Sequence, residues 1–303
     1  MPRLSIIVPY QQNDSTIEST LLSLLENRPD NVEILLSHDG SYNDPYGLGN
    51  DELVLVDCDA RTNQIGLINQ AVAACCSPLI QVILPGTTVE NGWLESAVAT
   101  FQEPSIAAVS PVTVCENASY FGIDANYLPR RAIVAEDHRQ HDCVPMINGG
   151  FFRRRTLLAL NGFLDIGSRE AAEVELGLAI QMLGYDAVLD QDSVISTSKT
   201  NFASQTGAYA LGQLTGQLAL AYSLIEGSHI VIESLMTRLG RLATGLMNPT
   251  AVADRLGWVF GIRDRSLVTP IANRISQAEQ HLNREESRFE VPADESQRFR
   301  KAA

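Results

Sequence analysis

Short runs that are mostly apolar on both faces, separated by segments with apolar residues three and four positions apart, leave a chain few folds to choose from. The first two hundred residues are written this way. Leu4-Ser5-Ile6-Ile7-Val8 reads as a buried strand, and residues 32–36, 53–56, 79–84 and 106–114 repeat the pattern. Between the first two runs, Asp14 or Ser15 can cap a helix that carries Ile17, Leu21, Leu22 and Leu25 on one face. Residues 65–75 and 93–101 read as two more helices. A strand without a polar face needs cover on both sides, and parallel strands need crossovers long enough to hold a helix. The fold class is therefore α/β, a mostly parallel sheet flanked by helices.

The later sequence divides in two. Residues 115–145 are polar and rich in turn formers, which predicts a long loop of functional character. Order resumes at 146–152, with helices expected over 153–160 and 171–183, a stop at Gly184 and a strand at 186–189. Beyond residue 200 the character changes. Only Glu226, Glu233, Arg238 and Arg241 are charged between Thr200 and Ala253, so this part predicts a helical C-terminal extension packed on the main domain or on a second copy. The division is 1–199 for the sheet domain and 200–303 for the extension with its polar tail, and homo-oligomers would form through the C-terminal helices. Gln205, Gln213 and Gln217 interrupt the uncharged stretch 200–225, which favours a buried helix over a membrane span.

Charge narrows the function. With 36 acidic and 22 basic side chains, a net charge of −14 excludes a nucleic-acid partner, which needs clustered Lys and Arg against phosphate. It also excludes a polybasic membrane-surface protein. The five cysteines, Cys58, Cys75, Cys76, Cys115 and Cys143, form no CxxC pair and read as buried thiols of a reducing compartment. The apolar start is too short for a secretory signal. The expected location is cytoplasmic, at most peripheral to a membrane.

Ligands of open parallel sheets bind at the carboxyl ends of the strands. Three stretches fall there: Pro9-Tyr10-Gln11-Gln12, His38-Asp39-Gly40-Ser41 and Pro85-Gly86-Thr87-Thr88. An aromatic ring and a carboxylate on adjacent strand ends can stack on a nucleobase and hydrogen-bond to it, while the ordinary role of each stretch is a turn. In this order, the strand ending at Pro9, the capped helix and the strand ending in His38-Asp39-Gly40-Ser41 resemble the start of family 2 glycosyltransferases of the GT-A fold. Asn69-Gln70-Ala71-Val72-Ala73-Ala74, Asn148-Gly149-Gly150-Phe151-Phe152-Arg153-Arg154, Asn161-Gly162-Phe163, and Glu173-Val174-Glu175 followed by Gly184-Tyr185 extend the resemblance to about residue 196. The resemblance implies a nucleotide-sugar donor, a glycan, lipid or protein acceptor, and inverting transfer to a hydroxyl. Pro9, Tyr10, Gln11, Asp39 and Thr87 would line the nucleotide, Gly149, Gly150 and Arg154 the acceptor or phosphate side, and Glu173 would be the base.

The departures concern metal. The family holds Mg²⁺ or Mn²⁺ with Asp-x-Asp after the fourth strand, where this chain has Pro85-Gly86-Thr87, so no metal ligand is assigned. Glu173 stands where the family has Asp, His38 replaces the first Asp of Asp-Asp-Gly-Ser, and Ser196 replaces a common His. Positive charge for a diphosphate could come from Arg153-Arg154-Arg155, and Glu136, Asp137, His138, His141 and Asp142 form a second metal-like composition. The alternative function is a catalytically silent relative that binds a nucleotide, a glycan or a protein.

Overall fold

The structure, a computed structural model, describes residues 2–12, 14–50, 52–124, 132–134, 143–202, 206–225 and 249–289. Strand β1 (Leu4–Tyr10) is buried over its first six residues, so successive side chains need an apolar layer on opposite sides. Ile6 joins the layer of Leu21, Leu24 and Phe101, and Ile7 joins that of Ile68, Val72 and Phe152. Strands β2 (Val32–His38) and β4 (Leu79–Val82) flank β1 in parallel, and β3 (Val54–Asp57) lies parallel outside β2. The crossovers are helices α1 (Ile17–Asn27) and α2 (Gln64–Ala74). Asn63 caps α2, its side-chain oxygen accepting from the Gly66 N–H at 2.8 Å.

Beyond β4 the sheet becomes mixed. β10 (Phe151–Arg153) runs antiparallel between β4 and β6 (Ile106–Cys115), and β11 (Asp186–Thr197) runs parallel to β6. β5 (Thr87–Val89) closes the far side, antiparallel to β11. Thus β1, β2, β3, β4, β6 and β11 all point their carboxyl ends to one edge, and β10 points the other way.

Two expectations change. The stretch 115–145 is not simply a loop: β7 (Ala118–Asp124) folds back on β6, and β8 (Ala132–Val134) and β9 (Cys143–Val144) pair with β7. Gly122 and the polar Ser119 and Asp124 hid the apolar alternation that buries Ile123. β11 runs eight residues past its expected end because a register shift between Asp190 and Val194 carries it over a polar step.

The C-terminal part shares the core of the sheet. Helix α5 (Arg169–Met182) is buried from Arg169 through Ile180, on every face. Helices α7 (Ala208–Ser223), α8 (Pro249–Gly261) and α9 (Val268–Phe289) follow, and Leu218, Tyr222, Ile271 and Ile275 sit in one cluster with α2 and α5 residues. A buried ion pair fixes the arrangement. Arg274 donates to Glu175 through Nε at 3.0 Å and Nη2 at 3.2 Å, and Tyr222 Oη donates to the same carboxylate at 2.7 Å. Among the described residues no helix is long and apolar enough to cross a membrane.

Helices α7 and α8 touch backbone to backbone through glycines. A Cβ on Gly212 would lie 1.9 Å from the Asp254 carbonyl oxygen, and one on Gly257 the same distance from that of Tyr209. Gly216 and Gly261 repeat the approach one turn on. Because backbone cannot swing aside, Gly257→Ala is expected to force the helices apart and cost about 1–3 kcal/mol, read as a lowered thermal midpoint. An unchanged midpoint would show that the helices are not packed this closely.

Candidate functional site

The carboxyl edge of the parallel strands gathers most of the residues singled out in the sequence. Tyr10 and His38 are register partners at the ends of β1 and β2. Tyr42, four residues after His38, turns back so that its ring stands edge-on to Tyr10 at 5.5 Å between centroids and 5.9 Å from His38. The three rings make one aromatic wall. Asp39 is half-buried beside it, and its Oδ1 accepts from the Ser41 N–H at 3.2 Å and from the Ser41 hydroxyl. The Ser41 hydroxyl bond holds the Asp39 carboxyl below its ordinary value, against the opposing effect of desolvation. Asp39 therefore stays an acceptor well below neutral pH. Gly40, at φ +82°, makes the tight turn that lets this happen.

His38 is buried, and its Nδ1 accepts from the Gly40 N–H at 3.2 Å, which places the imidazole proton on Nε2. Nε2 faces Asp57 Oδ1 at 3.1 Å, an electrostatic contact rather than a directed hydrogen bond. Burial pushes the Tyr42 phenol up, and nearby Asp44 adds to this, so it remains a neutral donor. Its hydroxyl is buried and has no hydrogen-bond partner among the described residues. Exposed Gln11 donates to the Thr62 carbonyl at 3.2 Å and ties the end of β1 to the β3–α2 loop.

Thr87 has a different place. It is fully buried, and its hydroxyl meets Asn148 Oδ1 at 3.0 Å and Thr197 Oγ1 at 2.8 Å. Asn148 also accepts from the Leu84 N–H at 3.0 Å. Above them lies the short helix α6 (Lys199–Phe202), whose Asn201 amide donates to the Pro85 carbonyl at 2.9 Å and to Thr197 at 3.0 Å. Gly86, at φ +83°, is covered by Ser198 and Thr16, whose side-chain oxygens would stand 2.8 and 3.2 Å from a Cβ. This is the slot where the resemblance expects a dication. Pro85 and Gly86 offer no side-chain oxygen and the Thr87 hydroxyl is engaged by neutral partners, so these residues do not fit Mg²⁺ or Mn²⁺. No group of three or more His, Cys, Asp or Glu that could hold a metal exists among the described residues. The Glu136–Asp142 stretch lies outside them.

On the acceptor side, Gly149 adopts φ +88°, and its N–H extends the β4 ladder to the Val82 carbonyl at 2.7 Å. A Cβ there would strike Ile195 at 2.1 Å, and one on Gly150 would meet the Met146 carbonyl at 2.5 Å. Both glycines are thus required by close packing under the edge. Glu173 is 1% exposed, and its Oε1 accepts from the Ile147 N–H at 3.0 Å. It lies beneath the edge, on a helix that is enclosed all round.

Arg154 is not part of this gathering. Arg153 pairs with Leu79, the first residue of β4, which puts Arg154 at the amino edge of the sheet. There Arg154 Nε reaches the Val72 carbonyl at 3.4 Å and Arg153 donates to carbonyls of Phe101, Glu103 and Ile106. Because β10 is antiparallel to β4, it carries Arg153 and Arg154 away from the edge that holds Tyr10 and Asp39. Sequence reasoning did not single out Tyr42, Asn201 or Arg169. Their signals are faint: a Tyr three residues after a carboxylate, an Asn after a strand, and an Arg after a Ser cap.

A cavity of about 410 Å³ opens beside Thr88, Trp93, Asp192 and Ser196. Ser196 and Thr88 are register partners whose side chains lie on the opposite face from Thr197 and Thr87, so this cavity is separate from the site.

No family model matches the chain, and no curated protein matches it in sequence. Solved structures do match in fold. A mannosyltransferase from Pyrobaculum calidifontis, solved with GDP-Man and Mn²⁺, is 18% identical over 99% of this chain and 80% of its own, with a TM-score of 0.51. The first 349 residues of S. aureus TarS, solved with UDP, are 14% identical over 94% of this chain and 92% of their own, at 0.53. GalNAc-T7, solved with UDP, GalNAc and Mn²⁺, is 14% identical over 73% of this chain, at 0.55; the match spans about half of that longer protein, 48%. With a sheet order of β3-β2-β1-β4-β10-β6-β11-β5 and these neighbours, the chain has the GT-A glycosyltransferase fold.

Proposed function

We propose that this protein is a family 2-like glycosyltransferase that binds a nucleotide-sugar at the carboxyl edge and transfers the sugar to an acceptor hydroxyl. The observation that carries the reading is the meeting of Tyr10, Tyr42 and Asp39 at the ends of β1 and β2. An aromatic wall stacks on a base, and an ionised carboxylate beside it accepts from the base or ribose. Titration with UDP and GDP tests the reading. Asp39→Ala is expected to weaken the better of the two by about 1.5–3 kcal/mol, the worth of a hydrogen bond to a charged acceptor. Full affinity in a folded Asp39→Ala protein would remove Asp39 from the site.

In transfer, the base is Glu173, which would have to exchange its bond to the Ile147 N–H for one to the acceptor hydroxyl. A second reading has its own support. The closed network of Thr87, Asn148, Thr197 and Asn201 stands where the family handles phosphate, which favours a nucleotide-binding relative that does not turn over. Release of nucleoside diphosphate from nucleotide-sugars over a broad glycan, lipid and protein acceptor panel separates the two. Product with any acceptor supports the transferase.

A further inference from the structure

We infer that Arg169 is the cation that receives the donor diphosphate in place of a metal ion, an inference that rests on the nucleotide-sugar reading above. Arg169 opens helix α5 and is only 8% exposed. Its Nη2 donates to the Asn201 carbonyl at 2.7 Å, and its buried Nε has no hydrogen-bond partner among the described residues. No carboxylate pairs with it among the described residues. The adjacent Glu170 is fully buried and accepts from the Ser168 hydroxyl at 3.0 Å and the Thr206 hydroxyl at 3.1 Å. A guanidinium taken out of water without a counter-charge is costly, and an arriving anion would relieve that cost.

The position fits a diphosphate. Asn201, which the guanidinium holds by its backbone, is the same residue whose side chain holds the Pro85 carbonyl in the substituted metal slot. The peptide oxygen of Asn201 stands where an anionic oxygen would be welcome, and a phosphate oxygen can replace it and also take the idle Nε–H. Arginine presents two such N–H groups in a fork that matches a phosphate. The start of the fourteen-residue α5 adds the positive end of the helix dipole at the same point. Ser168 already caps the Ala171 N–H at 3.2 Å, so the guanidinium rather than the free backbone is the principal donor.

The test measures UDP and GDP binding by calorimetry in EDTA, with uridine and guanosine as probes that lack phosphate. Arg169→Gln is expected to weaken the diphosphate by about ten- to a hundredfold while leaving the nucleoside unchanged. Arg169→Lys, which keeps the charge but loses the fork, should lie between. If Arg169→Gln does not fold, Arg169→Lys and competition by inorganic pyrophosphate against UDP or GDP on the unaltered protein carry the test. Equal diphosphate affinity in folded Arg169→Gln, or a loss confined to Arg61→Gln, the exposed arginine of the β3–α2 loop, would overturn the inference and leave the nucleotide reading standing. Failure of the unaltered protein to bind UDP, GDP, uridine or guanosine would overturn both. A nucleoside effect equal to the diphosphate effect would reduce Arg169 to a structural residue.

Discussion

Arg274→Ala is expected to destabilise the fold by about 3–5 kcal/mol, the cost of leaving a buried carboxylate without its cation. Glu175 is fully buried, and Arg274 is its only ion-pair partner among the described residues. The same guanidinium also donates to the Leu160 and Gly162 carbonyls, joining the turn after α4 (Arg154–Ala159) to α5 and α9. Tyr222 adds a neutral donor, its phenol pushed far up by burial first and by the Glu175 charge second. Denaturant unfolding measures the loss. The double variant Glu175→Met/Arg274→Met should recover much of it, because the apolar pair removes the stranded charge along with the cation. A loss below about 1 kcal/mol for Arg274→Ala would mean that the pair is solvated and the C-terminal helices are not clamped to the sheet.

Glu173→Gln carries the largest expected effect on activity. Glutamine keeps the side-chain oxygen that accepts from the Ile147 N–H, so the fold and donor binding should persist. It cannot take a proton, and removal of a general base typically lowers rate by about 10²–10⁴-fold. Donor affinity and transfer rate measured on the same preparation separate the two roles. Undiminished transfer would remove Glu173 from the chemistry and leave it as a support for the Ile147–Gly150 turn. Glu173→Asp shortens the side chain to the length that the resemblance expects; a gain in rate would locate the defect in reach rather than in phosphate handling.

The sheet was legible because its central strands β1, β2, β4 and β6 are buried on both faces. Leu4–Val8, Val32–Leu36 and Ile106–Val114 cannot be placed at a surface, and helical spacing between them fixes the crossovers. The strands of 118–144 were not legible. Gly122 and alternating polar residues blur a period that only the partner β6 makes visible. Near the candidate site, the position of Tyr10 and Asp39 at the ends of β1 and β2 was legible, because each follows an apolar run directly. The position of Arg154 was not legible, because sequence order does not show that β10 runs against β4, and one reversed strand carries it to the other edge. Arg169 was passed over for a related reason. Its burial with no carboxylate partner among the described residues appears only when α5 is enclosed and Asn201 folds over the Pro85 slot.

The central claim is that the GT-A edge of this chain handles a nucleoside diphosphate without a dication. Calorimetric titration of the unaltered protein with UDP and with GDP, in EDTA and again with excess Mn²⁺, tests it most directly. Binding of one of them with an affinity that Mn²⁺ leaves unchanged is the result expected from a slot made of Pro85, Gly86 and a fully engaged Thr87. A gain of about tenfold or more with Mn²⁺, equal to about 1.4 kcal/mol, would contradict it.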